Sequence, residues 1–349
     1  MPLPVSPLTL KRLQRFRRIK RGYYSFIGLL ILISLALVAE LWVNNRALLV
    51  YYEGELYWPT FGDFIPGTEF GEDYEWETDY RDLKARLAGH EQSGFVLMPL
   101  IPYSPYENDL QDNAYPPFAP DIDRQHYLGT DQTGRDMVAR LVYGFRTAIL
   151  FSLGLMASSY TVGVMIGCLM GYWGGRFDLT LQRLIEIWSN IPFLYVVIIL
   201  ASIMTPGFWL LIGIMVCFSW PVMTWYMRTA TYREKAREYA LAAKAMGATT
   251  PRIIFHHILP NTVSTIVTFI PFSVATGITS LTALDYLGFG LPPPTPSWGE
   301  LLQQGTNNLD AIWIVSSVVV FMVAILTMVT FTGEAIREAF DPKKHSIYR

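Results

Sequence analysis

The sequence is short of charge and nearly free of cysteine. Asp, Glu, Lys and Arg make up only 16% of its 349 residues while 52% are hydrophobic, and the mean hydropathy is +0.28. That balance excludes an ordinary soluble domain and points to a membrane protein. The two cysteines, Cys168 and Cys217, both fall inside apolar runs, so no disulfide framework is indicated. None of the seven lysines follows a glycine. A GxxxxGK[ST] phosphate loop is therefore missing, and nucleotide binding by that route is excluded. Neither HExxH nor GxSxG occurs. The ionisable residues near the apolar runs, Glu40, Glu186, Asp285 and Asp310, lie close to their ends rather than forming an acid and base pair inside them. Catalysis is not expected, and neither a metal site nor a cofactor bound by this chain is indicated. The adjacent His256 and His257 would point to different faces of a helix and would not share one metal.

Charge is scarce but sharply sorted. Met1 to Gly22 holds 7 bases and no acid, whereas Asn44 to Arg146 holds 18 acids against 8 bases. Between them Tyr23 to Val43 is an apolar run long enough to span a bilayer, with its basic flank held in the cytoplasm. The run is longer than a signal peptide's, and no A-x-A cleavage site follows it. Five further spans are expected at about Thr147 to Tyr172, Ile185 to Met204, Phe208 to Met227, Thr262 to Leu287 and Ala311 to Thr332. The expected fold is therefore an all-α membrane protein of six transmembrane helices with both termini cytoplasmic. Its expected parts are a basic tail (1–22), a first span (23–43), a large exported segment (44–146), a five-helix core (147–335) and a C-terminal tail (336–349). Arg228 to His257 holds six bases against two acids, and Arg337, Lys343, Lys344 and Arg349 follow, which agrees with that orientation. The exported segment carries Tyr51, Tyr52, Tyr57, Trp58, Phe61 and Phe64. Its aromatics suit a membrane-surface position, and either a folded subdomain or an irregular cover fits.

Arg233 to Asn261 is a polar island between two of these spans. Its composition predicts a helix from Arg233 to Met246, a left-handed stop at Gly247, a restart capped by Thr250 with Pro251 first in the helix, and an end at Pro260. Ala236, Ala240, Ala243 and Gly247 share one nearly bare face at helical spacing. The spacing alone fits either an Ala-rich surface helix or a docking face. On the fifth span Ser273, Thr276 and Ser280 form a polar stripe, with Asp285 further along and Pro271 as an expected kink. Such a stripe serves either helix packing or the lining of an aqueous path.

Three stretches resemble the permeases of bacterial ABC importers. Glu238-Tyr-Ala-Leu-Ala-Ala-Lys-Ala-Met-Gly247, with Ile258-Leu-Pro-Asn261 downstream, is similar to their EAA loop. His126-Tyr-Leu-Gly-Thr-Asp-Gln-Thr-Gly-Arg-Asp136 resembles the HxLGTDxxGRD box of the peptide and nickel type permeases. Asp285-Tyr-Leu-Gly-Phe-Gly-Leu-Pro-Pro-Pro-Thr-Pro-Ser-Trp-Gly299 resembles their LGxGxxPPxPSWG box. The acidic insertion and the ending Phe340-Asp-Pro-Lys are similar to an oligopeptide-importing branch of that family. The pattern departs at Leu241, where the family has its Glu, leaving Glu238 one turn earlier as the nearby acid, and at His257, where the family is apolar.

The resemblance implies a type I importer permease (MetI-like) fold and half of a translocation pathway for peptides or peptide-like solutes in the bacterial inner membrane. It implies docking on an ABC ATPase through Glu238, Ala240, Ala242, Ala243 and Gly247, with Leu259 and Pro260 closing the loop. It also implies a homologous second permease, a periplasmic substrate-binding protein, ATP and Mg held by the ATPase, and no nucleic acid. The path would run along Ser273, Thr276, Ser280 and Asp285. Two other classes compete. A membrane scaffold or sensor would bind a partner through the exported segment without transport. An ion-driven transporter would need essential acids near mid-membrane and internal repeats, and the sequence has neither.

Overall fold

The computed structural model describes residues 7–89, 94–111 and 114–340. Lys343, Lys344, Arg349 and the Asp-Pro-Lys of the C-terminal ending lie outside the described residues. The chain enters through α1 (Pro7–Arg18), and a break at Ile19 leads into α2 (Lys20–Leu37), the first apolar helix. Eighteen residues of α helix rise about 27 Å, close to the thickness of a bilayer's hydrocarbon core. The helix ends before the predicted Val43, and a 3-10 turn at Ala39–Leu41 aims Glu40 at Arg146, which it meets at 2.5 Å.

The acidic insertion folds into a small unit of its own. β1 (Leu49–Tyr52), β2 (Glu55–Tyr57) and β3 (Gly94–Leu97) form an antiparallel sheet in the order β2-β1-β3, and α3 (Tyr80–Gly89) packs on it through Tyr80 and Leu83. Val50 pairs with Tyr57 on one side and Val96 on the other, and a 3-10 turn at Gly67–Phe70 adds Phe70. Val50, Tyr52, Phe70, Tyr80, Leu83 and Val96 form its buried core. Tyr52 is thus a core residue, whereas Trp58, Phe61 and Phe64 stay exposed.

After an irregular stretch up to Asp136 the chain is mainly helical. α4 (Met137–Trp173) is followed by α5 (Gly175–Ser189), α6 (Phe193–Ile203), α7 (Phe208–Glu234), α8 (Glu238–Ala245) and α9 (Thr250–Arg252). After a π-helical stretch at Ile253–Ile258 come α10 (Leu259–Tyr286), α11 (Trp298–Asn307) and α12 (Ile312–Phe340). Among the described residues five helices are long and apolar enough to cross a membrane, and a sixth span exists only if α5 and α6 are taken as one. The predicted third span, Ile185 to Met204, is broken: α5 and α6 meet at 64° across Asn190, Ile191 and Pro192. Proline lacks the N–H that would continue the helix and biases its predecessor away from helical angles.

α4 begins ten residues before the predicted Thr147, because Asp136 caps it by accepting from Ala139 N at 2.8 Å. Its charged first turns fall in the expected exported segment, yet they are helical and paired, Arg140 with Glu300 and Arg146 with Glu40. α4 and α7 pack face to face along Gly163, Gly167 and Gly171. A Cβ at these positions would lie 2.7, 2.5 and 2.5 Å from the carbonyl oxygens of Trp220, Thr224 and Arg228. This small-xxx-small ladder lets two apolar backbones touch where hydrophobic burial between helices gives no drive.

Candidate coupling loop and pathway

The polar island consists of two short helices, divided differently from the prediction. α7 carries on to Glu234, Lys235–Arg237 interrupt, and α8 starts at Glu238. Gly247 adopts φ +81°. Gly247 N donates to Lys244 O at 3.0 Å and Ala248 N to Ala243 O at 3.1 Å, the paired bonds of a left-handed helix stop. Tyr239 donates to Glu234 at 2.9 Å and ties α8 to the end of α7. Burial, and next the Glu234 carboxylate, push the Tyr239 hydroxyl up to about 12.

The alanine stripe does not face outward. Ala240 and Ala243 are 3% and 1% exposed, and Ala243 packs on Ile253 and Ile258 with Tyr172 at the edge. Their assignment as docking contacts is therefore corrected. Small side chains here let α8 lie close on its own protein rather than on another. The face left open carries Glu238, Leu241, Ala242, Ala245 and Met246, of which Leu241 and Met246 are 54% and 80% exposed. Gly247 is exposed too, while Ala236 lies in the interruption.

The second helix starts after Thr249, whose side chain makes no capping bond, rather than being capped by Thr250, and Pro260 does not end it. The helix runs from Thr250 to Tyr286, with the π turns at Ile253–Ile258 directly before Leu259 and Pro260. A wider turn accommodates the missing proline N–H and its ring without breaking the rod. Asn261 donates to His257 O at 2.7 Å. His256 is exposed and His257 half-buried.

Ser273, Thr276 and Ser280 do converge on one space. They line a cavity of about 280 Å³ between α4, α7 and α10, together with Ser159, Tyr160 and Tyr226. Tyr160 OH and Ser273 Oγ share a hydrogen bond at 2.6 Å, and Tyr226 stacks on Phe269 at 3.9 Å. These two contacts tie α4 and α7 to α10 on the α8 side of the cavity. A continuous packed cluster joins them to the loop: Cys168, Met223, Met227 and Ile254 are buried together, with Tyr160 and Phe269 against them. Ile254 sits in the π stretch whose neighbours Ile253 and Ile258 hold Ala243.

Asp285 lies elsewhere, which corrects its place on the path. It is buried, accepts from Leu291 N at 2.7 Å and from the Ser297 hydroxyl, and so staples the proline-rich loop to the end of α10. Gly290 and Gly299 are fixed by this staple. A Cβ on either would strike Asp285, at 1.7 Å from Oδ1 and 2.5 Å from Cβ respectively.

The other two boxes form one polar clamp that spacing does not reveal. Arg135 bonds Asp131 at 2.7 Å and Glu300 Oε1 at 2.7 Å, while Arg140, fully buried, bonds Glu300 Oε2 and the Pro294 carbonyl at 2.9 Å. Trp298 donates to Leu141 O at 3.1 Å. His126 sits between Asp136 (2.8 Å) and Asp109 (3.0 Å) and stacks on Tyr103. Burial alone would lower its pKa, but the bonds to Asp109 and Asp136 raise it to about 9.

Residues 163–346 match the family described as binding-protein-dependent transport system inner membrane component. The chain is 41% identical over 342 residues to the inner membrane ABC transporter permease protein YejE of Escherichia coli, covering 97% of this chain and 98% of that protein. It is 40% identical over 363 residues to the peptidoglycan transport system permease protein YejE of Agrobacterium fabrum, covering 97% and 94%. It is 31% identical over 264 residues to the oligopeptide transport system permease protein OppC of Mycobacterium tuberculosis, covering 74% and 88%. An inward-facing structure of the MetNI methionine ABC transporter shares the fold at TM-score 0.50 and 18% identity, covering 59% of this chain and 98% of that one.

Proposed function

Because the chain belongs to the binding-protein-dependent transport system inner membrane components, we propose that α8 is the element through which a separate ATPase drives it. The chain is a permease subunit of an ABC importer, not an enzyme. An ATPase and a substrate-binding protein are its family's partners, and ATP is hydrolysed by the former. The proposal extends this to particulars: a homologous second permease completing the pore, ATP and Mg held by the ATPase, a peptide or peptide-like solute, both termini and α8 in the cytoplasm, and residues 44–146 outside. The names of the relatives from Agrobacterium and Mycobacterium support the solute class.

One observation carries the reading: α8 leaves Leu241 and Met246 open to solvent between Glu238 and Lys244, while its other face is wedged on the root of α10. A partner that shifts α8 also displaces Ile253 and Ile258, and through Ile254 the cluster under Tyr160 and Phe269. Packed interiors change by switching between arrangements rather than by yielding gradually, so the push alternates the state of the cavity. Gly247 lets the chain reverse after α8, Leu259 and Pro260 follow the π turns inside the helix that begins at Thr250, and Glu238 is the acid at the open end of α8.

The test compares Leu241→Asp with Ala243→Glu in the assembled transporter. Leu241→Asp is expected to leave the permease folded but to lower solute-stimulated ATPase activity by about tenfold or more, since an interface apolar anchor contributes about 2 kcal/mol. Ala243→Glu buries a charge and should cost folded protein instead. Normal coupling in Leu241→Asp sinks the docking role of the open face.

A further inference from the structure

We propose that the cavity between α4, α7 and α10 receives one uncharged, apolar side chain of a peptide-like solute, and that Ser159 hydrogen-bonds an amide of the same solute. The inference rests on the transport reading above and adds what the path selects. A volume of about 280 Å³ lies at the lower edge of the roughly 300–1,000 Å³ pockets that enclose a drug-sized ligand. That is room enough for one side chain. Its walls carry Met156, Met215 and Met223 beside Phe218 and Tyr226, and flexible thioethers next to aromatic rings adapt to many apolar shapes. No lining residue among those described carries a formal charge, so a charged side chain entering here finds no counter-ion and loses its water.

The second, independent observation is Ser159. It is 4% exposed, and its hydroxyl has no hydrogen-bond partner. Ser152, Thr161, Ser219 and Thr276 nearby each donate to the carbonyl four residues earlier. A buried hydroxyl left unmatched is costly, and an amide carbonyl or N–H brought in by a solute removes that cost. The Tyr160–Ser273 bond and the Tyr226–Phe269 stack close the α8 side, so a side chain is held until the helices part.

The test uses the complete transporter with its partners in proteoliposomes and a tripeptide series, Ala-X-Ala with X as Gly, Leu, Phe, Lys or Glu. Dividing variant by wild-type uptake removes the binding protein's own preferences. Val222→Trp, which fills the cavity from its more exposed wall, should lower uptake of the Phe peptide relative to the Gly peptide by about tenfold. Ser280→Asp should raise the Lys peptide relative to the Leu peptide by about tenfold, through the charge pair it creates. Ser159→Ala should raise KM for all of them alike, several-fold, without altering their ratios. If Val222→Trp does not assemble, Ser280→Asp decides alone. Unchanged ratios in an assembled variant overturn the side-chain pocket, and an unchanged KM in Ser159→Ala overturns the amide contact. A wild-type transporter that imports none of the series overturns the peptide-transport reading itself, and the pocket with it.

Discussion

His126 is held on both ring nitrogens by carboxylates, and this bears on how the insertion responds to pH. Its folded pKa, about 9, lies above the ordinary value of 6.5 because Asp109 and Asp136 outweigh the effect of burial. The folded state therefore favours the protonated ring. The stabilisation is full below 6.5, declines as pH rises and is gone once pH passes about 9. The unfolding temperature in detergent should accordingly fall more steeply between those values for wild type than for His126→Gln. The variant should be several degrees less stable at pH 6, with the gap narrowing toward pH 9. Parallel curves would show that the ring is not charged in the fold. The sequence displayed the box containing His126 and Asp136, but not its chemistry, because Asp109 comes from a proline-rich stretch seventeen residues away. Glu300 was likewise invisible as the joint between Arg135 and Arg140, which lie 165 and 160 positions from it.

At the scale of elements, periodicity announced faces but not the neighbours they meet. Ala240 and Ala243 did share a bare face, yet that face seats α8 on Ile253 and Ile258 of the same chain. Period alone cannot tell a docking stripe from a packing stripe, since both demand small residues. Gly163, Gly167 and Gly171 recur at four-residue spacing, and the structure shows them packed against the backbone of α7. Gly167→Leu should consequently disrupt the α4–α7 pair. A Cβ there would stand 2.5 Å from Thr224 O and 2.8 Å from Met227 Cβ, so backbone must move, at a cost of about 1–3 kcal/mol or more. Gly213→Leu on α7 is the control, because nothing lies within 4 Å of a Cβ at that position. Thermal stability of the two variants in detergent should separate clearly, and equal stabilities would mean that the ladder is not in contact. The ends of elements were less readable for a specific reason. Arg140 and Arg146 fall in the expected exported segment, yet both lie on α4, where the distant Glu300 and Glu40 pair with them.

For the whole molecule, the α5–α6 pair decides on which side everything after it lies. α6 has 11 residues and rises only about 16 Å, too little to cross alone. α5 carries Arg176, Asp178, Arg183 and Glu186, and Asp178 is held by Arg228 of α7 at 2.5 Å. If the bent pair crosses, the chain passes the bilayer three times between the insertion and α8, and the two lie on opposite sides. If the pair only dips in and returns, α4 and α7 make two passes and both lie on the same side. Charge favours three passes: the basic stretch from Arg228 to His257 would otherwise share a compartment with the acidic insertion, against the positive-inside tendency. This is testable with a membrane-impermeant thiol reagent once Cys168 and Cys217 are replaced by serine. Cysteine is introduced at Tyr115, 94% exposed in the insertion, or at Met246, 80% exposed beyond α8. In intact spheroplasts Tyr115→Cys should label and Met246→Cys should not, and inverted vesicles should give the reverse. Labelling of both from one side would make the pair a re-entrant loop, leave α8 beyond reach of a cytoplasmic ATPase, and so remove the basis for force entering the cavity through that helix.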